Sequence, residues 1–425
     1  MEFWERFAMY GVKSLLVVIL LDRILTGDLS HVAGAAMVRD ASAALFGPVS
    51  RTGLASQLYG YANALLYLSI PFGGLVGDLL GSRRAAVACG GAGMLAGLAL
   101  MLREHSFLIG LVPFAIGTGL LKGNLSVQIG MLFRDEAQRR RGFTVYLGFL
   151  NAGVICGPLL CGAVAAYAGP TYAIAVAAAA VAIGLFFYAR RAGRNDMAEP
   201  APVRAAPANA PIPATAMLIV TMVAVYLCFA AYEQLGNIFL VWARARVDLN
   251  LAGWTMPVAW FLSLDGLVTL GLIAVWQMVL RLLDRRGIAV GAVMQIFAGA
   301  LLCAGGYIVL AIGSAYGGTL SLPWALSYLV LVDAAIVLIW PSGLSVIAET
   351  APRRLVGLWT GLFYLHGFFA HLWVGMIGIY YERVPTPLFW LLHAAMAGGG
   401  ALLVLIAGIP MLRVLRARQA ITTSA

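Results

Sequence analysis

Apolar runs of about 20 residues or more recur from end to end of this chain, and they decide most of what it can fold into. Twelve can be counted, at roughly 3–21, 52–79, 84–102, 107–133, 143–167, 171–189, 215–242, 254–280, 288–313, 322–348, 355–380 and 386–412. Each is long enough to cross the hydrocarbon core of a bilayer as a helix. With 62% hydrophobic and only 11% charged residues, a soluble domain of this size would need a greasy exterior. The chain is read as an all-α membrane protein with twelve transmembrane helices.

A net charge of +10 raises nucleic acid or a membrane surface as partner, and its distribution decides between them. With the N-terminus placed inside, eighteen arginines fall in the even-numbered connections and the C-terminal tail, in clusters such as Arg83 and Arg84, Arg139 to Arg141, and Arg281, Arg285 and Arg286. Seven fall on the other side: Arg23, Arg39, Arg51, Arg103, Arg244, Arg246 and Arg383. This asymmetry follows the positive-inside rule, so both termini are assigned to the cytoplasm and no nucleic-acid partner is needed. The expected setting is a bacterial inner membrane, and the expected state a monomer. Five cysteines, all within apolar spans, read as packing residues, and no metal site is expected. Glu2 and Glu5 open the chain where a signal peptide would be basic.

The segment 190–214 is rich in Ala and Pro, lacks apolar periodicity and reads as a cytoplasmic linker. It separates an N-terminal unit over 1–189 from a C-terminal unit over 215–412, followed by a tail over 413–425. GDLLGSRRA after span two and RLLDRRG after span eight form a faint repeat, as duplicated bundles would. The connection 22–51 carries no readable motif.

The chain has only two lysines, Lys13 and Lys122, and both lie inside apolar runs. A cation within a membrane-spanning helix costs a few kcal/mol or more, so it faces a cavity and has a task there. In span one, Glu2, Glu5, Arg6, Met9, Tyr10 and Lys13 fall on one stripe at about 100° per residue, opposite an apolar side. The pattern points to a transporter with a wet cavity. Within the spans stand three cations (Arg6, Lys13, Lys122) and five carboxylates (Glu2, Glu5, Glu233, Asp265, Asp333). Two acids are left without a fixed partner, a property suited to carrying protons. No Ser/His/Asp spacing, phosphate loop or metal cluster suggests an enzyme, and a scaffold has no use for such costly buried charge.

MEFWERFAMYG resembles the ExxERFxYYG signature of the proton-coupled oligopeptide transporters (the POT family) within the major facilitator superfamily. Further blocks agree in order: PFGGLVGDLLGSRR, GTGLLKGN, RGFTVYLGFLNAG with Asn151 and Gly153, AAYEQLGN with Glu233, WPSGLS around Pro341, and GLFYLHGFFAHLWVG. The resemblance covers nearly the whole chain and implies a major facilitator fold of two six-helix bundles working by alternating access. It implies that Glu2, Glu5, Arg6 and Lys122 couple protons and meet the substrate carboxylate, and that Lys13 faces Glu233, itself a proton-coupling residue. Tyr10, Lys13, Lys122, Asn151, Glu233, Asp265, Trp340 and Phe363 are its implied substrate contacts. Asp78, Gly81, Arg83 and Arg84 form the structural loop after span two. The physics agrees, because a carboxylate that loses its cation partner in a low-dielectric cavity takes up a proton more readily. Protons are the coupling ion, and no other cofactor is implied.

The departures from the family pattern are specific. Ile336 stands where peptide transporters carry a Glu in span ten, with Asp333 one turn earlier. Asp265 stands in place of the span-eight Asn, Met9 of a Tyr, Gly123 of a Pro, Phe363 of a Trp and His371 of an Asn. The anionic contact for a substrate amine is expected to have moved from span ten to Asp265. Family members also carry a short lead before the ExxER group. Here the group begins at residue 2, so either the lead is lost or the start lies upstream. The expected function is proton-coupled symport of di- or tripeptides or peptide-like compounds. The alternative is a proton-linked carrier, import or export, of a non-peptide amphoteric metabolite or siderophore.

Overall fold

The computed structural model describes residues 1–132, 136–191, 212–352 and 355–414, without the side chains of 129–132, 136, 137, 139, 140, 191, 212, 213 and 357. The linker expected over 190–214 and the tail over 413–425 fall mostly outside these residues. So do Arg134, Arg194, Arg204, Arg353, Arg354, Arg416 and Arg418.

Apolar length translates into helices in chain order: α1 (Glu2–Ile19), α2 (Ala35–Phe46), α3 (Arg51–Leu79), α4 (Arg83–Met101), α5 (Phe107–Leu132), α6 (Glu136–Tyr167) and α7 (Pro170–Arg191). The second half holds α8 (Ile212–Tyr232), α9 (Ile238–Arg246), α10 (Trp260–Arg285), α11 (Ala292–Ala315), α12 (Leu322–Thr350), α13 (Val356–Tyr364), α14 (His366–Ile377) and α15 (Thr386–Leu403). Among the described residues, eleven helical segments are long and apolar enough to cross a membrane. The twelfth span is α1, continued by a π-helical turn over Leu20–Ile24. Its four charges keep it out of that count, yet Glu2 and Glu5 are buried in protein and lipid never meets them.

Several boundaries move. Span five starts at Glu136 rather than 143. Span eight starts at Trp260 rather than 254, because Asn250–Leu251 pairs antiparallel with Trp254–Thr255 as a small hairpin turning through Ala252 and Gly253, both at positive φ. Span seven breaks between α8 and α9 at a 3₁₀ turn over Glu233–Gly236, and span eleven breaks at Leu365 between α13 and α14. Pro71, Pro113, Pro158 and Pro341 lie inside helices, as membrane-spanning helices tolerate.

Helices α1 and α3–α7 pack into one six-span bundle and α8–α15 into another, with α1 lying between α6 and α7. The bundles meet where α3 runs against α14 and α6 against α10. At the first seam the backbones touch: a Cβ on Gly60 would stand 2.5 Å from the Cα of Gly375. The odd-numbered connections share one face, poor in arginine. There Asp22 pairs with Arg244, and Thr52 donates to Glu382 at 2.5 Å. Arg383 donates to the carbonyls of Phe46 and Pro48 at 2.9 and 2.5 Å. Deeper in, Ser263 donates to Ile155 O at 2.8 Å and Asn237 to Ser56 Oγ at 2.6 Å. These bonds join the two bundles and close the arginine-poor face.

The loop after span two is built as a clasp. Gly81 adopts φ +62° and closes α3 by donating to Asp78 O, while Arg83 pairs with the Asp78 carboxylate and donates to Asn124 of α5 at 3.1 Å. Arg84 lies beside it in the first turn of α4. The faint repeat has a structural counterpart. Gly287, at φ +70°, closes α10 by donating to Asp284 O, three residues back in the same way.

Candidate functional site

Because α1 is regular from Glu2 onward, its charged stripe becomes a ladder along the helix. Arg6 holds Glu2 at 2.7 Å and Glu5 at 3.4 Å, with Glu5 fully buried. One turn further, Met9 presents its thioether to Lys122 of α5, Sδ accepting from Nζ at 3.1 Å. The Lys122 ammonium also stands 6.0 Å from the centre of the Tyr67 ring. Among the described residues, Lys122 makes no ion pair. A thioether and a ring face are weak partners for an ammonium. Lys13 comes next, 5.8 Å from the Tyr10 ring centre and 2.8 Å from Glu233 Oε2. That last bond bridges the two bundles.

In the C-terminal bundle, Glu233 opens the 3₁₀ turn that interrupts span seven, which aims its carboxylate at α1. The same Oε2 faces His371 Nε2 of α14 at 3.3 Å. His371 is fully buried, its Nδ1 lies 2.8 Å from Gly367 O, and its ring stacks on Tyr67 at 5.1 Å. Asp265 of α10 accepts from the Tyr232 hydroxyl at 2.5 Å. Asp333, whose face no motif fixed, is fully buried on α12 and lies against Asp265.

The remaining expected contacts stand differently. Asn151 donates to Leu147 O within its own helix at 2.8 Å. Phe363 is fully buried, packed on Gly343 with Trp340 at 6.4 Å. A cavity of about 600 Å³ opens elsewhere, among α8, α10, α11 and α12, beside Trp276, Gln277, Gln295, Ser345 and Glu349. None of the expected site residues lines it.

Residue patterning did not single out two of these partners, and it placed a third, Met9, on the α1 stripe without a role. Tyr232 and Asn124 lie inside matched blocks, and their polar groups in apolar runs were the available signal. The role of Met9 had no signal, since a methionine at helical spacing reads as packing. His371 was noted only as a departure, and the structure brings it to Glu233.

Comparison with known proteins sets this geometry in context. The Major Facilitator Superfamily pattern matches residues 7–375. The chain is 23% identical to the peptide transporter YePEPT of Yersinia enterocolitica subsp. palearctica, over 89% of this chain and 85% of that protein. It is 29% identical to a di-/tripeptide transporter of Lactococcus lactis subsp. cremoris over 62% of this chain, a match that spans half of that transporter. Its fold superposes on crystal structures of a POT family transporter in complex with 5-aminolevulinic acid (TM-score 0.81, 18% identity, 96% of this chain and 95% of that one) and of a peptide transporter POT in complex with sulfate (TM-score 0.79, 21% identity, 98% and 93%). The pattern match over most of the length shows that the chain belongs to the Major Facilitator Superfamily, and the relatives it is similar to include proteins named as peptide transporters.

Proposed function

We propose that the protein is a proton-coupled symporter of di- or tripeptides or peptide-like compounds, working by alternating access across a bacterial inner membrane. The arginine-rich face and both termini are then cytoplasmic, as the positive-inside rule requires. The observation that carries the reading is the Lys122 ammonium, part-buried in the bundle beside a thioether and a ring face and, among the described residues, without an ion pair. Such a cation is a receptor for a carboxylate brought by the substrate, and Glu5, fully buried on the same ladder, is placed to exchange a proton as that carboxylate arrives. The Lys13–Glu233 bridge joins the bundles in this closed arrangement and must part when they rock.

Uptake of labelled dialanine into proteoliposomes with an inward-acid gradient tests this, beside Lys122→Ala. Gradient-dependent uptake that the variant loses is expected. No uptake by folded, correctly inserted protein overturns the peptide reading. One observation favours a second cargo class: Ile336 leaves span ten without its acid, and Asp265, bonded to Tyr232, supplies the carboxylate instead. A relative of the same fold is known with 5-aminolevulinic acid bound, so a non-peptide amphoteric solute fits as well. Asp265→Asn is expected to weaken transport of any cargo bearing an amine, and normal transport by that variant would sink the role of Asp265.

A further inference from the structure

We propose that His371 and Glu233 together hold one transported proton, making a second proton site on the C-terminal bundle, separate from the acid–arginine group of α1. The inference rests on the symport reading and deepens it.

The argument starts from the two nitrogens of one ring. His371 Nδ1 lies 2.8 Å from Gly367 O, and a carbonyl oxygen only accepts, so Nδ1 must carry a proton. Nε2 faces Glu233 Oε2 at 3.3 Å. If the ring is neutral and the carboxylate ionised, the bare Nε2 lone pair points at an anionic oxygen. The other neutral tautomer sets a lone pair against the Gly367 carbonyl instead. Oε2 already accepts from Lys13, and the buried Nε2 has no hydrogen-bond partner among the described residues, so the 3.3 Å approach is favourable only if one more proton lies between Nε2 and Oε2, as an imidazolium beside a carboxylate or a carboxylic acid donating to the ring. Turning the ring over would place carbons at both contacts, losing the bond to Gly367 and the approach of a nitrogen to Glu233.

The surroundings set what this proton responds to. Lys13 of α1 shares Oε2 with His371 at 2.8 Å. From α3, Tyr67 stacks on the ring at 5.1 Å and Tyr59 lies 6.2 Å away. Tyr10 of α1 and Asp265 of α10 stand farther round Glu233, Lys122 of α5 lies beyond Tyr67, and His366 on the same helix faces Tyr67 and Phe229. The proton is held by the C-terminal bundle, whereas its closest cation and its stacking ring belong to the N-terminal one. Rocking that parts α3 from α14 removes Lys13 and Tyr67 together and changes how tightly the proton is held. The site therefore binds or releases its proton according to which face is open.

The test has two arms. In proteoliposomes, His371→Asn keeps a donor for the Gly367 carbonyl but cannot carry a proton. It is expected to lose concentrative accumulation driven by an acid gradient, to flatten the pH profile, and to retain substrate counterflow at a reduced rate. Unchanged accumulation and pH profile would overturn the proposal. The second arm needs no substrate. The chain has five histidines, so ¹⁵N-histidine NMR of the purified protein, assigned with the same variant, reads His371 directly. A protonated Nδ1 and a pH-dependent Nε2 signal that changes in Glu233→Gln are expected. A ring that stays neutral with only Nε2 protonated between about pH 5 and 8 overturns the inference. Failure of dialanine uptake alone rejects the peptide reading and leaves the NMR result to judge the proton site.

Discussion

The Lys13–Glu233 bridge is a buried pair, and its two members are worth little apart. Removing Glu233 leaves the Lys13 charge without its partner, at a cost of about 3–5 kcal/mol, and removing Lys13 leaves Glu233 with His371 alone. Lys13→Met and Glu233→Met are each expected to lower the thermal stability of the detergent-solubilised protein accordingly, while the double variant recovers most of the loss and still fails to transport. Equal additive losses in a melting experiment would contradict this. Asp333 presents the opposite case. Its carboxylate has no described hydrogen-bond donor and lies against Asp265, so two like groups crowd one dry spot. Asp333→Asn supplies a donor to Asp265 and is expected to stabilise the fold by about 1–3 kcal/mol, visible as greater resistance to heat. The ladder on α1 was legible in the sequence because helical period and charge agree over six residues. The environment of His371 was not, since a lone histidine in an apolar run gives no sign of what faces it across a bundle seam.

Among elements, the spans were legible because twenty apolar residues admit few alternatives in a bilayer. What escaped were the pieces that lie outside it. Helix α2 buries only Ala35 and Ser42, so its sequence carries no apolar stripe to announce it. The hairpin before α10 was absorbed into span eight because Trp254 and Met256 extend its apolar run. The breaks in spans seven and eleven were invisible for a different reason: hydropathy continues straight through them. At the α3–α14 seam the backbone contact leaves no room for a side chain. Gly60→Leu is expected to disfavour closure of the arginine-poor face by about 1–3 kcal/mol. Cysteine probes placed along α3 on that side should then label faster, and unchanged labelling would show that the seam tolerates bulk.

Across the whole molecule, closure of the arginine-poor face relies on many small bonds rather than one latch. Asp22–Arg244 is half exposed on both sides. Arg244→Ala is therefore expected to change stability by no more than about 1 kcal/mol and transport rate only modestly. Combining it with Arg383→Ala, which frees the carbonyls of Phe46 and Pro48, should have a larger effect on the same labelling assay. The halves could be told apart in the sequence by their shared turn, Asp78 to Gly81 and Asp284 to Gly287, though the stretch that joins them lies beyond the described residues.

Two lysines in 425 residues, both along the ladder between the bundles, also give the protein a built-in chemical reporter. Apart from an unblocked chain start, an amine-acylating reagent has nowhere to react but Lys13 and Lys122. Lys13 is tied to Glu233, whereas Lys122 meets Met9 and Tyr67 and, among the described residues, makes no ion pair. Mass-spectrometric footprinting of the unmodified protein should therefore mark Lys122 first. A bound cargo would erase that mark, so candidate substrates can be ranked without a label on any of them.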